Sequence, residues 1–597
     1  MAKKKPAINY TSREFSTIKT DLVNYARQYY PDKFRDFTAN SFGSLMLDSV
    51  AYVGDILSFY LDFQANESFL STAVDYDNIL KLSKQFGYKA TLSPSSYGLL
   101  TFFILIPASN GAPDFSYAPI LKQGSKFKTG GGNIFTLLED VSFKDENELE
   151  VVVGNVDATT GTPVNYAVRA RGQAASGELA IQTVEMGEYQ KFQKISVSGE
   201  NITEIVSVMD SSGNPFYEVD YLTQNTIYVP VTNRDKNTDK VPNILKPVAV
   251  PRRFIVERSR DEVYLQFGFG STEEDLSVLD PSRVMLKQHG KTYISDDSFD
   301  PSTLLKSKTL GISPSNTVLT IVYRVNSSES TNASIDTIRI VEDAEFHFEA
   351  ENSLLANQVT TTRGSLEVTN EEAFVGDIPF PSAEEIKQRA FGSYSMQNRM
   401  VTKEDFIAAV YNMPPNFGSI KKVNVAQDSD SFNQRNINMY LISEDRTGAL
   451  IPTNGTIKKN LKTYLSRYKM INDTIDMFDA HIINLSIQFK VAIFNNANKY
   501  SALQAAINSV VDYFDNRNGY DIGEPFSLGD IYSVLNNVPD VLDAKDVLVS
   551  LETGGNYANS NYNIEIATSQ DGTQIFCPAD SVFEVKFPSS DIKGIIV

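Results

Sequence analysis

The chain has 597 residues, with 54 Lys and Arg against 74 Asp and Glu, a formal net charge of −20. A groove for phosphate backbones or an anionic membrane surface wants basic residues in excess, so neither nucleic acid binding nor membrane docking is expected as the main task. With 42% hydrophobic residues, 36 Phe and 29 Tyr, the chain can bury real cores, and wholesale disorder is excluded.

The first ninety residues read as three helices. Thr11-x-x-Glu14 forms a capping box, and Phe15, Ile18, Leu22, Tyr25 and Tyr29 recur at helical spacing until Pro31. The second is a long helix in the stretch 36–89, ahead of the third. At about 100° per residue, Ser44, Asp48, Asp55 and Asp62 share one narrow polar stripe. Phe42, Leu45, Met46, Leu47, Val50, Val53, Ile56, Leu57, Phe59, Tyr60, Leu61 and Phe63 cover most of the remaining circumference. A surface helix needs an apolar face of only ~100°, and this one shows roughly twice that. It is therefore either the central core helix of a large domain or a helix shared with other chains. In the second case Leu45, Val50, Val53, Ile56, Leu57, Tyr60 and Phe63 are the interface candidates. The aspartate stripe is then the side expected to stay uncovered by apolar neighbours. Gly43 and Gly54, near Ala51 and Ser58, would let another helix approach closely. A third helix is expected from Ser71–Asp75 to Phe86, with Gly87 as its C′ residue.

From Pro94 to residue 372 short alternating runs separated by Gly, Pro, Asn and Ser predict antiparallel β structure in sandwiches or barrels. Expected strands include Leu99–Ile106, Ile134–Leu138, Glu148–Val153, Val164–Arg171, Ile202–Met209, Ile227–Pro230, Val263–Gly268, Val318–Val325 and Ile335–Ile340. The stretch is too long for one small sandwich, so two β domains are expected, 94–240 and 241–372. Ser382-x-x-Glu385 and Thr402-x-x-Asp405 open further helices. Strands and helices then interleave in two units, 373–480 and 481–550, which fit ferredoxin-like α/β sandwiches, before a β-rich tail at 551–597. The fold class is multidomain α+β: an N-terminal helical bundle segment (1–93), antiparallel β-rich middle domains and C-terminal ferredoxin-like units.

The search for chemistry returns mostly structural explanations. His289, His347 and His481 form no zinc-type spacing. Glu345, His347 and Glu349 alternate along a strand and would face one side of it; such a trio can ligate a metal, but a solvent-facing polar row is the default reading. Cys577 cannot form an intrachain disulfide, and with Pro578 following and no nearby His it is not a nucleophile candidate. Gly268-x-Gly270 and Gly130-Gly131-Gly132 lack the residues of a phosphate loop and read as hairpin turns. Asp296-Asp297-Ser298-Phe299-Asp300 and Asp428-Ser429-Asp430 miss the Gly and Glu of an EF-hand. No catalytic, metal or cofactor residues are assigned. Lys3-Lys4-Lys5 reads as a solvated tail. The N-terminus lacks a signal-peptide core, and no uninterrupted apolar run approaches the ~18 residues of a span, so a soluble protein without membrane insertion, made in a reducing cytoplasm, is expected.

The run from Asp36 through Leu45–Asp48, Ala51–Gly54, Ser58–Asp62 and Gln64–Leu70 to Phe86-Gly87-Tyr88, preceded by Asn9-Tyr10-Thr11-Ser12-Arg13-Glu14-Phe15, resembles the amino-terminal signature of baseplate J-like proteins. Within that family it is most similar to the large wedge subunit of T-even-type contractile-tailed bacteriophages. Tyr264–Gly270, Ile321-Val322-Tyr323-Arg324 and Arg399–Phe406 echo later family patterns, although Phe269 stands where the family often has Asp. The resemblance implies a structural virion protein rather than an enzyme, in a wedge of the tail baseplate assembled in the host bacterial cytoplasm. Implied partners are a second copy of itself, a related wedge chain, a small wedge protein near the sheath, and neighbouring wedges that close a sixfold ring around the hub. Rearrangement on contraction would place hinges near Leu92–Tyr97, Glu367–Pro381 and Met413–Gly418. The rivals are a tail-associated carbohydrate-binding protein or hydrolase, which needs facing carboxylates in a cleft, and a receptor-binding fibre, which would favour long repeats.

Overall fold

The computed structural model describes residues 14–31, 38, 41–89, 94–144, 150–157, 161–199, 201–232, 243–258, 262–270, 310–326, 331–349, 351–428, 435–445, 447–494, 497–516 and 519–597. His289 and the Asp296–Asp300 run lie outside these residues. The chain divides into two compact units, Met1–Ala90 with Pro381–Tyr394, and Thr91–Phe380 with Ser395–Val597.

The first unit holds α1 (Phe15–Tyr29), α2 (Phe42–Asn66) and α3 (Tyr76–Gln85), together with the helix that begins at Ala383. Thr11 of the expected first capping box lies outside the described residues, and α1 starts after Glu14 without a side-chain cap. Ser382 and Glu385 do cap reciprocally: each backbone N–H donates to the other's side chain, at 2.7 and 3.3 Å. The apolar centre is small. Leu70, Ala73, Ile79 and Tyr88 bury against Ile386 and Ala390, and the Phe86 ring meets Phe391 and Tyr394 edge-on at 5.6 and 5.7 Å. The turn from α2 to α3 is organised by Glu67. Its carboxylate accepts from Asn78 at 2.8 Å and from the Val74 N–H at 2.7 Å, which hold it below the usual carboxylate range.

The second unit carries the β structure, and its sheets do not follow the expected division at 240. An eight-stranded sheet combines Tyr97–Ser109, Ala112–Pro113, Lys126–Thr129, Ile134–Leu137, Glu150–Val156 and Pro163–Ser176 with Ile338–Asp343 and Glu367–Thr369. A seven-stranded sheet is built from strands between these, from Glu178–Met186 to Thr317–Val325, while Thr226–Thr232 and Asn243–Ala249 pair as a separate two-stranded sheet. Residue 240 itself falls between the paired strands Thr226–Thr232 and Asn243–Ala249. The second sheet is therefore an insertion into the first. Gly177 makes the crossing: it has φ +92°, and a side chain there would press on the Val325 carbonyl. Gly268 serves close approach rather than a hairpin, because a Cβ would collide with the Leu310 and Gly311 carbonyls. Gly132, with φ +89°, does sit in the turn between the paired strands Lys126–Thr129 and Ile134–Leu137.

Two mixed α/β layers follow. In the first, Asn436–Glu444 pairs antiparallel with Lys422–Gln427 and parallel with Thr474–Asp479, so the helix Gly455–Leu465 is a crossover between parallel neighbours. In the second, His481–Ile493 is central, antiparallel to Val541–Glu552 on one edge and parallel to Ser581–Glu584 and Ile592–Ile596 on the other. Both layers are built on one central strand, and the expected ferredoxin-like order does not follow from these registers. Two strands of the expected tail, Ser581–Glu584 and Ile592–Ile596, pair with His481–Ile493 and complete its sheet. The core there is dense: Phe489, Leu485, Ile487 and Val491 of the central strand bury with Ala506, Val510, Ile531 and Ile592.

The first layer is tied to the eight-stranded sheet by buried polar groups. Asn454 caps the helix Gly455–Leu465 through the Ile457 N–H, and its amide donates to the carbonyls of Tyr97 (2.5 Å) and Ala373 (3.0 Å). Asp377 accepts from the N–H and hydroxyl of Thr331 at 2.7 and 2.8 Å. Burial, with Glu444 nearby, pushes its pKa up to about 6. Residues from two of the expected hinge segments, Tyr97 and Ala373, thus meet in one packed joint.

Candidate functional site

α2 begins where Ser41, in extended conformation, accepts the Ser44 N–H at 3.1 Å. With no proline inside, it runs 25 residues, about 37 Å. Of these residues only Ser44 and Ala51 are buried. Both lie on the side that meets α1, where Lys19 Nζ stands 2.6 Å from Asp48, and a Cβ on Gly54 would touch Ile18 at 3.4 Å. The polar stripe is thus the covered side of α2, opposite to expectation. The reason is complementarity. α1 offers a lysine to neutralise Asp48, but its own apolar residues are too few to cover the arc opposite, and none of them is buried.

That arc stays open. Leu45, Val50, Val53, Leu57, Tyr60 and Phe63 are exposed and Ile56 is half-buried. Phe42 and Leu61 keep 72% of their surface, Phe59 66% and Met46 49%. The residues fall on two adjacent lines: Met46, Val50, Val53, Leu57 and Tyr60 in alternating steps of four and three, then Leu45, Tyr52, Ile56, Phe59 and Phe63, where the first step is seven and passes over Ser49. Each line has the spacing that receives one packed helix. Phe59 and Phe63 already stack at 6.3 Å, which stiffens the second line. Soluble monomers rarely leave contiguous apolar patches beyond a few hundred Å². Covering the exposed parts of these side chains at ~25 cal/mol per Å² would be worth on the order of 10 kcal/mol before association costs.

By length and composition α2 could also cross a membrane. Asp48, Asp55 and Asp62 argue otherwise, because each carboxylate near a bilayer centre costs at least ~2.5 kcal/mol, and the Asp48–Lys19 pair ties the helix to a water-exposed neighbour.

The other sequence candidates sit apart from one another. Glu345, His347 and Glu349 are all exposed, with Glu349 paired to Lys144 at 2.7 Å. His481 is exposed at the start of its strand. Asp428 accepts from Asn436 at 2.9 Å. The Cys577 thiol donates to the Ser581 carbonyl at 3.2 Å, and burial pushes its pKa up to about 12, so it carries no thiolate at neutral pH. A polar cleft of about 140 Å³ on the C-terminal sheet contains Glu552 and Asp591. Both carboxylates are already committed, to Ser486 at 2.8 Å and Tyr557 at 2.6 Å.

Residues 14–85 match the family model described as bacteriophage baseplate protein, N-terminal domain. That segment is the α1–α3 region. No curated protein matches the chain. Among solved structures, a chain of the sixfold-symmetrised cryo-EM structure of the anti-feeding prophage baseplate aligns over 97% of this chain and 99% of its own, at 10% identity and TM-score 0.26. So loose a superposition carries no argument, and the baseplate-domain match rests on residues 14–85 alone.

Sequence reasoning did not anticipate the Lys19–Asp48 pair or the Glu67 lock. Neither has a local signature, since each joins residues on separate elements. Phe69 and Val74, 66% and 76% exposed in the turn after α2, were likewise invisible to a periodicity argument.

Proposed function

We propose that this chain is a structural subunit of a contractile-tail baseplate, and that the helices within residues 14–85 supply part of a bundle shared with other chains. One observation carries this reading. The segment that matches a baseplate N-terminal domain is also the segment whose apolar surface the chain leaves uncovered.

In its finer form the proposal makes the chain a baseplate J-like wedge subunit of the T-even type. The two apolar lines on α2 receive two helices, one from a second copy and one from a related wedge chain, with Leu45, Val50, Val53, Ile56, Leu57, Tyr60 and Phe63 in the contact. A small wedge protein near the sheath and the neighbouring wedges are the further partners, and the C-terminal α/β layers make the wedge-to-wedge contact of a sixfold ring around the hub. The subunit is assembled in the host cytoplasm, resides in the virion, and works through its interfaces without catalysis or a cofactor. Motion on contraction falls where the chain passes between its two units, close to the expected hinges at Leu92–Tyr97 and Glu367–Pro381.

The test is co-expression of the full chain with the other baseplate proteins of the same virion, followed by gel filtration and negative-stain imaging. The chain should enter a complex, and Leu57→Asp with Tyr60→Asp should keep it out. If the parent chain stays a soluble monomer while the other proteins close their ring without it, the reading fails.

A further inference from the structure

Strands at sheet edges present unpaired N–H and C=O groups, and proteins guard them with charges, prolines or cover. Most longer edges in the described structure are guarded in these ways. Glu178–Met186 carries Glu178 and Glu185; Ile338–Asp343 carries Arg339, Glu342 and Asp343; Thr474–Asp479 carries Asp476 and Asp479. Val541–Glu552 carries Asp543, Lys545 and Asp546, and its Ala544 and Val547 amides donate to Asn536 and Tyr532 at 2.9 and 3.0 Å. The hairpin Thr226–Thr232/Asn243–Ala249 contains Pro230 and Pro247.

Glu150–Val156 differs. It pairs on one side with Pro163–Ser176, and among the described residues no strand pairs with its other side. Every residue from Glu150 to Val156 is exposed, Val152 at 65%. After Glu150 the run Val151-Val152-Val153-Gly154-Asn155-Val156 has no charge and no proline. Glu150 itself is neutralised by Arg169 at 2.6 Å. Three consecutive exposed valines on a free edge are an aggregation hazard unless a partner strand covers them.

We propose that Glu150–Val156 is a homotypic docking edge, pairing antiparallel with the same strand of a second copy of this chain. A free backbone ladder accepts another extended backbone, which fixes the occupant as a strand. The sequence then selects itself. In an antiparallel register centred on Val152, Val151 faces Val153, Val152 faces its own copy, and Glu150 faces Gly154, so no like charges oppose each other. The pairing irregularity against Pro163–Ser176 begins beyond Val153, so the central pairs, Val151 with Val153 and Val152 with its own copy, fall on the regular part of the strand and only Gly154 lies at the irregularity. A twofold contact of this kind closes on itself and does not propagate into fibres. The surface is distinct from α2, and the inference does not depend on the baseplate reading.

The experiment uses the full chain with Leu57→Asp and Tyr60→Asp, so that α2 cannot drive association. Sedimentation velocity at tens of micromolar should give twice the 66.3 kDa chain mass. Val152→Lys in the same background should return the single-chain mass with an unchanged circular dichroism spectrum. Independently, Val152→Cys should form an intermolecular disulfide on mild oxidation, because directly opposed residues in an antiparallel pair lie ~4.5–5.5 Å apart, within disulfide reach. The half-buried Cys577 should give no such product in the parent. A single-chain mass for the α2-blocked protein, a dimer indifferent to Val152→Lys, or no cross-link at residue 152 would each overturn the proposal.

Discussion

α2 and the helix Lys499–Asn516 are both long and amphipathic, yet one is covered and the other is not. In Lys499–Asn516, Ala502, Ala506, Val510 and Phe514 recur every four residues and all are buried, with the central strand His481–Ile493 on the same core. In α2 the apolar arc is wider, and only Ser44 and Ala51 are buried. Hydrophobic periodicity therefore reports how much surface must be covered, but not whether the same chain covers it. Where the chain supplies the cover, apolar residues act on stability. Where it does not, they act on assembly.

The largest effect should come from breaking the open helix. Leu57→Asp with Tyr60→Asp places two carboxylates in an apolar contact, and loss of association beyond a thousandfold is expected from pull-down of co-expressed baseplate proteins. Both positions are exposed in the single chain, at 56% and 62%, so its melting temperature should barely move. A large drop in melting temperature would mean that the arc is covered within the chain after all.

The covered region should respond the opposite way. Phe489 is 1% exposed, and a Cβ on Gly594 would sit 2.7 Å from its ring. Phe489→Ala should cost about 3–5 kcal/mol, read as a lowered urea midpoint, while partner binding through α2 persists. Loss of partner binding at temperatures where the variant is still folded would blur the distinction between the two regions.

Asp377 adds a pH signature to the covered region. Its folded-state pKa is raised to about 6 from an ordinary 3.8, so its proton favours the folded chain. The stability it contributes is complete below about pH 4 and is lost as pH rises through about 6. At ~1.4 kcal/mol per pH unit this amounts to on the order of 3 kcal/mol. Asp377→Asn keeps an acceptor for Thr331 but cannot ionise. The parent-minus-variant difference in denaturation midpoint should therefore fall between pH 4 and 6, with Glu444 and its partner Lys421 (2.5 Å apart) as the charges alongside. A difference that stays flat over this range would rule out a buried, ionising Asp377.

How far the sequence reaches follows from the same contrast. Ile202–Met209 is rich in Ile and Val and forms the strand with those ends. Thr402 and Asp405, three residues apart, form the expected capping box. Both patterns are local. The eight-stranded sheet closes only when Ile338–Asp343 returns to Lys126–Thr129, and no composition change marks an insertion of that length. The last two strands pair with His481–Ile493 across about a hundred residues, as in His481 with Ser581 and Ile487 with Ile592, so they read as a tail until the register is known. For the candidate site, the width of the apolar arc on α2 was legible because it depends on the helix alone. Which side would be covered was not, because that depends on Lys19 in another helix.

The smallest effect tests that last point. Lys19 and Asp48 are each about one-third exposed, so the 2.6 Å pair is screened, and Lys19→Ala should cost no more than ~1 kcal/mol. What the substitution changes is orientation. Without its cation, the Asp48 side has no advantage over the apolar arc in receiving α1, and α1 is free to roll toward Val50 and Leu57. Hydrogen exchange should then rise in α1 while α3, held by the Leu70–Ile79–Ile386 cluster, stays protected. Partner binding through α2 should weaken in step, because α1 competes for the same apolar surface. If Lys19→Ala leaves both exchange and binding unchanged, the polar seam does not set which face of α2 is presented, and Ala51 with Gly54 must fix α1 by shape alone.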